Sequence, residues 1–320
     1  MASEPLIEIK SGGGAAFGRW AGSPGLTVFD SFPTKLSKTR AHAVPRIRAS
    51  HGTTKAIMRS RTIYLAATSV CLLTCTQLSV ATDWQYSLQA GAANLPRYSG
   101  SNERMTAPLL GVNVISPWGI FLDTNRGLGW GYEDDQLSFS AYVGASTARK
   151  DQKKSTHLGS NRLKGMGDIK SRPQFGVSAS YTLGSAILGA TLEHALEQDD
   201  KKDSGKAFTS LELSIGTNLY DGDYGTVDAS LNSRFGDSNY VQTWYGVTSG
   251  QAQRSRFRAY DAKGGMVSRG LNLDWSVPLG EHTTFSTLLD VQYLSGDAGK
   301  SPIVERRMQT SVMGVLNYTF

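Results

Sequence analysis

The sequence is poor in the residues that most chemistry requires. Its only two cysteines, Cys71 and Cys75, lie early in the 320-residue chain, and residues 82–320 contain none. A disulfide framework, a thiolate nucleophile and a Cys-ligated zinc site are thereby excluded from that portion. Histidine is scarce as well: after residue 81 only His157, His194 and His282 remain. No stretch reaches the roughly 20 consecutive apolar residues that a membrane-crossing helix needs. A real basic surplus is also missing where a fold would be. The formal charge is +6, but residues 1–81 hold ten Lys plus Arg against three Asp plus Glu, whereas residues 82–320 hold 23 against 24. The larger part of the chain therefore has no electrostatic footprint for nucleic acid.

What is present begins with a boundary. Arg59 and Arg61 form a cationic start, Ile63 to Leu73 an apolar run, and Ser79-Val80-Ala81 a small-x-small site. These are, in order, the three regions of a secretory signal peptide, which we place at 58–81 with Met58 as its initiator. Residues 1–57 show no sustained period of 2 or 3.6. They are read as an upstream-start or disordered extension; a transit-type segment is the alternative. Leu72-Leu73-Thr74-Cys75 departs from a lipoprotein box because Thr74 stands where a small residue is expected, so ordinary cleavage after Ala81 is preferred.

Residues 82–320 are dominated by alternation. Thr310, Val312, Gly314, Leu316, Tyr318 and Phe320 share one face and Gln309, Ser311, Met313, Val315, Asn317 and Thr319 the other. The same period of 2 runs through Leu271 to Val277, Phe285 to Tyr293, Phe175 to Leu183, Leu211 to Leu219 and Trp84 to Ala90. Alternation over segments of about ten residues marks strands with two unlike faces. It predicts strands at 84–94, 105–115, 117–124, 126–133, 136–146, 173–184, 186–196, 207–220, 224–236, 265–278, 282–295 and 307–320. The even number suits a transmembrane barrel. Ten strands is the alternative, because the Gly-rich Leu122 to Tyr132 region reads either as two strands or as one bent one.

A soluble sandwich and a membrane barrel both alternate, and the connections separate them. Short turns at Leu183-Gly184-Ser185, Tyr220-Asp221-Gly222-Asp223 and Pro278-Leu279-Gly280-Glu281 alternate with long polar loops near 145–172, 197–206, 236–260 and 296–307. Short turns on one side and long loops on the other characterise outer-membrane barrels. Trp84, Tyr181, Tyr220, Trp275, Tyr293 and Tyr318 fall near strand ends, where an interfacial girdle belongs. Glu193, Glu212, Asp228, Arg234, Asp274 and Asp290 fall on the other face, as a polar lumen requires. The expected fold is all-β: an antiparallel transmembrane β-barrel over 82–320.

Candidates for chemistry are few. The three histidines show no triad pattern with Ser and Asp. Asp134-Asp135, Asp199-Asp200 and Asp221/Asp223 occupy hairpin and loop positions, where Asp is favoured by bonding to local backbone. Gly165-Met166-Gly167 lacks the strand-to-helix setting of a phosphate cradle. Arg149 to Lys154, with Arg162, Lys164, Lys170 and Arg172, forms a basic loop set. We read it as solvated; contact with lipopolysaccharide is the alternative. No catalytic, cofactor-binding or metal-binding residue is assigned.

Several stretches carry a family likeness. They are Pro96 to Ser101, Gly127 to Tyr132, Leu163 to Ile169, Tyr240 to Thr248, Ala259 to Ala262, and Gly296 to Ala298 with Ser301 to Val304. Over about residues 84–320 the chain resembles the MipA/OmpV family of outer-membrane MltA-interacting proteins. It departs from that pattern at Lys263-Gly264-Gly265 and in the Lys-rich loop 150–154. The resemblance implies an outer-membrane scaffold that brings a murein-degrading lytic transglycosylase together with a penicillin-binding synthase, among membrane lipid and lipopolysaccharide. It brings no catalytic motif. The surface topologically available to such partners is the set of periplasmic turns: Gly184 and Ser185, Asp221 and Gly222, Gly280 and Glu281, and the segment Glu133 to Gln136. The competing expectation is a small-solute pore or an adhesin-like surface protein.

Overall fold

The computed structural model describes residues 83–154, 157–198 and 205–320. The expected signal peptide and cleavage site, the stretch before them, Cys71, Cys75 and Asp199-Asp200 lie outside the described residues. Twelve antiparallel strands form a closed barrel in meander order, each paired with its neighbours in sequence and β1 closing on β12. They are β1 Gln85–Pro96, β2 Arg104–Ile115, β3 Ile120–Asp123, β4 Gly127–Glu133, β5 Leu137–Ala145 and β6 Pro173–Leu183. The second half comprises β7 Ala186–Ala195, β8 Phe208–Gly222, β9 Gly225–Gly236, β10 Gly265–Pro278, β11 Thr283–Leu294 and β12 Met308–Thr319. Every expected strand is present, with ends within three residues of the sequence reading.

The choice between twelve strands and ten is made by one side chain. Asp123 Oδ1 accepts from the backbone N–H groups of Asn125 and Arg126, both at 2.8 Å, and so turns the chain sharply between β3 and β4. This is the local bonding that makes Asp a turn former. The glycines of β4 then make room rather than weakness. Gly129 and Gly131 lie beside the inward Phe121 ring, and a Cβ on Gly129 would come within 2.4 Å of it. Arg126 caps the same ring at 4.2 Å. Gly176 serves Tyr142 in the same way: a Cβ there would lie 2.1 Å from the phenol ring.

The barrel is inverted relative to a soluble protein. Large apolar side chains at alternate positions face outward, among them Leu88, Leu110, Val112, Leu188, Leu192, Leu213, Ile215, Leu231 and Leu316. Inward positions bury Gln174, Ser210, Glu212, Asn232, Arg234, Asn272, Asp290, Gln292 and Ser311. Only a closed sheet satisfies all its backbone groups against hydrocarbon, so this is the arrangement of a membrane-spanning barrel. Outward Trp84, Tyr86, Tyr181, Tyr220, Trp275, Tyr318 and Phe320 cluster towards the end with the short turns. Strict alternation would point Tyr220 inward. A bulge between Asn218 and Tyr220 shifts the register, so that Leu219 and Tyr220 are both exposed, which is how an extra strand residue re-aims a side chain.

Two expectations need correction. The inner wall is not polar throughout: Ala93, Leu95, Met105, Ala107, Leu288 and Met313 form an apolar patch on β1, β2, β11 and β12, and Leu158 from the β5–β6 loop packs on it. Nor are the long loops merely polar, since they hold about half of the buried apolar side chains. Helices α1 Ser238–Tyr245 and α2 Ser249–Arg254 lie in the β9–β10 loop and α3 Gly296–Lys300 in the β11–β12 loop. Tyr240, Val241, Trp244, Tyr245, Ala262 and Ala298 belong to one cluster, and Tyr98, Leu163, Met166, Val247, Phe257 and Ile303 to another. The loops thus form a folded cap over one end of the barrel.

Candidate functional site

The two ends of the barrel are the candidate surfaces, and they are built from different residues. At the capped end, α1 starts where Asp237 accepts from the Tyr240 N–H at 2.6 Å. A capping box between Thr248 and Gln251 starts α2; both are the side-chain caps that helix starts require. Each helix presents its apolar residues to the neighbouring loops. Tyr240 meets Phe208 edge-on with centroids 5.5 Å apart. Tyr245 shares a 2.8 Å hydrogen bond with Ser99, and its carbonyl accepts from Ser301. Gln251 donates to the Met166 carbonyl at 2.8 Å.

Arginines staple these loops. Arg97 donates to the Gly159 carbonyl at 2.7 Å, Arg149 to that of Trp244 at 2.7 Å, and Arg172 to that of Lys206 at 2.9 Å. A buried charge is tolerated when hydrogen-bonded, and neutral carbonyls are weaker compensation than a carboxylate. Burial accordingly pulls the Arg149 guanidinium down to about 10, which leaves it protonated at neutral pH. Arg149 and Arg172 are 4 % and 2 % exposed, so the solvated reading of the basic loop is wrong for them. Their side chains are consumed in holding loops together. Lys153, Lys154, Lys164 and Lys170 are exposed, as that reading held. The Gly165-Met166-Gly167 segment also has an occupant: the N–H groups of Gly165 and Gly167 donate to Asp151 Oδ2 at 3.2 and 3.3 Å.

At the other end the connections are Ser116 to Gly119, Asp134 to Gln136, Gly184-Ser185, Asp223-Tyr224 and Leu279 to His282, between strands already given. Gly184, at φ +62, adopts the left-handed conformation that glycine supplies without strain. Gly184, Ser185, Gly280 and Glu281 are exposed, as a docking surface requires. Asp221 and Gly222 are exposed too, but they are the last residues of β8, paired with Thr226 and Gly225. The turn itself is Asp223-Tyr224, because the bulge lengthens the strand. Indole groups pin two of the turns: Trp130 donates to the Trp118 carbonyl at 3.0 Å and Trp275 to that of Tyr224 at 2.8 Å. Asp134 shapes a third by accepting from the N–H groups of Leu137 at 2.7 Å and Gln136 at 2.9 Å. Those bonds, with one from Tyr132, hold its carboxyl below the usual carboxylate range.

Charge separates the ends more sharply than shape. Asp83, Glu133, Asp134, Asp135, Asp221, Asp223 and Glu281 are all exposed at the short-turn end. Among the described residues, no Lys or Arg lies in those turns or in the strand halves that lead to them. Periodicity does not display this segregation; it is legible once each charge is assigned to a turn or a loop.

Inside the barrel, Arg234 donates to Glu212 Oε2 through Nη2 at 2.5 Å and Nε at 3.1 Å, with both side chains buried. Tyr142 donates to Glu193 at 3.1 Å. The three histidines are dispersed. His194 bonds Thr209 on the outer wall, His282 bonds the Thr319 carbonyl at the short-turn end, and His157 lies exposed in the cap. Among the described residues no three His, Cys, Asp or Glu side chains group as metal ligands.

The family described as MltA-interacting protein MipA matches residues 88–320. No match is found among curated proteins. Solved barrels resemble the chain at low identity. An outer membrane channel from Pseudomonas putida F1 is 11 % identical, with a TM-score of 0.40, 77 % of this chain and 98 % of that one being covered. OmpT of Vibrio cholerae in its trimer form is 10 % identical, with a TM-score of 0.35 and coverages of 74 % and 98 %.

Proposed function

The chain belongs to the MltA-interacting protein MipA family, and from that premise we propose that it is a non-catalytic outer-membrane scaffold whose short-turn end docks murein-processing enzymes. The partners in this reading are a lytic transglycosylase and a penicillin-binding synthase, met on the periplasmic side. The observation that carries it is the charge of that end: seven exposed carboxylates and, among the described residues, no Lys or Arg beside them. Such a face favours encounter with a basic protein surface and disfavours an acidic one. Exposed Trp118 and Tyr224 among the acids add the aromatic anchors that interfaces favour. The cap supports the same reading from the opposite side, because its core packs across the other mouth of the barrel and weighs against free passage of solute.

The test reverses charge without touching the cap. A variant carrying Asp135→Lys, Asp221→Lys, Asp223→Lys and Glu281→Lys should fold, yet lose capture of murein enzymes from solubilised envelopes by tenfold or more. Unchanged capture would remove this face from consideration. The pore reading rests on the polar inner wall and predicts steady conductance of the wild-type barrel in planar bilayers; the scaffold reading predicts none.

A further inference from the structure

On the capped half of the outer wall, polar side chains interrupt the apolar surface. They are Asn94 and Arg104 on β1 and β2, His194 and Thr209 on β7 and β8, and Ser233 and Arg269 on β9 and β10, the last pair one outward row below Phe235 and Met266. That half of the wall approaches the lipid headgroups in a membrane barrel. Most of its polar members are already engaged. Arg104 donates to Asn94 Oδ1 at 2.6 Å and to the Thr310 carbonyl at 2.8 Å. His194 bonds Thr209 at 2.9 Å.

Arg269 differs. Its guanidinium lies 5.4 Å over the Tyr293 ring and, among the described residues, forms no ion pair. It stands exposed at the head of a shallow groove of about 400 Å³ on the outer wall. The register explains the groove. Ser233, Arg269, Tyr293 and Met308 form one lateral row across β9 to β12, with the paired Leu271 and Val291 beneath Arg269 and Tyr293. The small Ser233 leaves a recess beside larger neighbours, and the floor below is aliphatic. A cation with unused donors above an apolar slot, on a wall that faces hydrocarbon, is complementary to one kind of molecule: an acyl chain attached to a phosphate. Arg donates in a planar fork that matches phosphate oxygens, and the Tyr293 ring holds the guanidinium against the wall.

We propose that this groove is a binding site for a phosphorylated lipid of the outer leaflet, the lipid A part of lipopolysaccharide, with Arg269 on a phosphate and an acyl chain along Leu271 and Val291. This rests on the outer-membrane placement proposed above.

Native mass spectrometry of the delipidated protein in detergent tests it, with diphosphoryl lipid A, its dephosphorylated form and phosphatidylglycerol as probes. A discrete one-to-one adduct with diphosphoryl lipid A is expected, at least tenfold weaker with the dephosphorylated form and with phosphatidylglycerol. Arg269→Gln should weaken it tenfold, Arg269→Lys should restore part of that loss, and Ser233→Phe should weaken it by filling the recess while leaving every charge in place. Retained affinity in Arg269→Gln, or equal affinity for the dephosphorylated lipid or for phosphatidylglycerol, overturns the site. If one variant fails to show heat-modifiable migration, the other two decide. Envelope fractionation separates the two failures: recovery in the inner membrane sinks the placement, whereas recovery in the outer membrane without a lipid adduct sinks only the site.

Discussion

The capped end and the short-turn end are made by the same twelve strands but held together in opposite ways. The cap joins five loops through aromatic packing and side-chain-to-carbonyl bonds between residues far apart in sequence, such as Tyr98 to Ile303 and Arg149 to Trp244. The short turns are held by bonds that stay within a turn or reach only to the next strand over, such as Asp134 to Leu137, Trp130 to Trp118 and Trp275 to Tyr224. Long-range bonding makes a cooperative unit whose parts fail together. Bonds that extend no further than the adjacent strand leave distant turns nearly independent and their outward side chains available to a partner. The difference suggests a division of labour in which one end is closed by its own residues and the other is kept available.

That contrast can be broken most severely at Trp244, which is 4 % exposed at the centre of the cap. Trp244→Ala should destabilise the cap by about 3–5 kcal/mol, the usual range for truncating a buried aromatic. It should open the β5–β6 and β9–β10 loops to protease while the barrel keeps its heat-modifiable migration on gels. If all strands unfold with the cap, the two are not separable units.

A comparable loss is expected where the cap meets the wall. Removing one partner of the buried Arg234–Glu212 pair leaves the other charge uncompensated, at a cost of about 3–5 kcal/mol. The double variant Arg234→Leu with Glu212→Leu should recover much of the loss caused by Arg234→Leu alone, measured as the urea midpoint of unfolding in detergent. Additive losses would show that the pair contributes nothing as a pair.

The smallest effect belongs to the short-turn end. Asp134→Ala should quicken amide exchange at Gln136 and Leu137 and leave the other turns unchanged. Because its carboxyl is held low in the folded state, the contribution is present above the ordinary Asp range and is lost as pH falls through the lowered value. Protection of those two amides, taken relative to the intrinsic exchange rate at each pH, should therefore fall on acidification in the wild type and stay unchanged in the variant. Spread of the change to distant turns would contradict their independence.

How much of this was legible in advance follows from the range of the interactions. Strand positions were readable because a wall with lipid on one side and a polar interior on the other imposes its period on each segment separately. The division of Leu122 to Tyr132 into two strands was ambiguous because Gly127, Gly129 and Gly131 have no side chain to show a face; only Phe121 lying beside Gly129 and Gly131 gives those two positions a direction. The turn at 220–223 was misplaced by two residues, since a bulge leaves no mark in a two-residue period. The cap was missed although it left a signal. Asp237 followed by Tyr240, Val241, Trp244 and Tyr245 is a helix cap with an apolar stripe at i, i+1, i+4 and i+5. The six stretches that carry the family likeness include five that lie at the capped end.

The sequence alone therefore determined the inside-out barrel and its strand number, within the ambiguity of one glycine-rich segment, because alternation is a local response to a two-sided environment. It also determined, in the placement of its acids and bases, which end is anionic. Only the tertiary structure decided that the long loops close over the barrel and that Arg149 and Arg172 are buried within them. Leu158 likewise reaches the inner wall only in the folded chain. Those contacts join segments tens to hundreds of residues apart, and no period within any one loop records the partner it will meet.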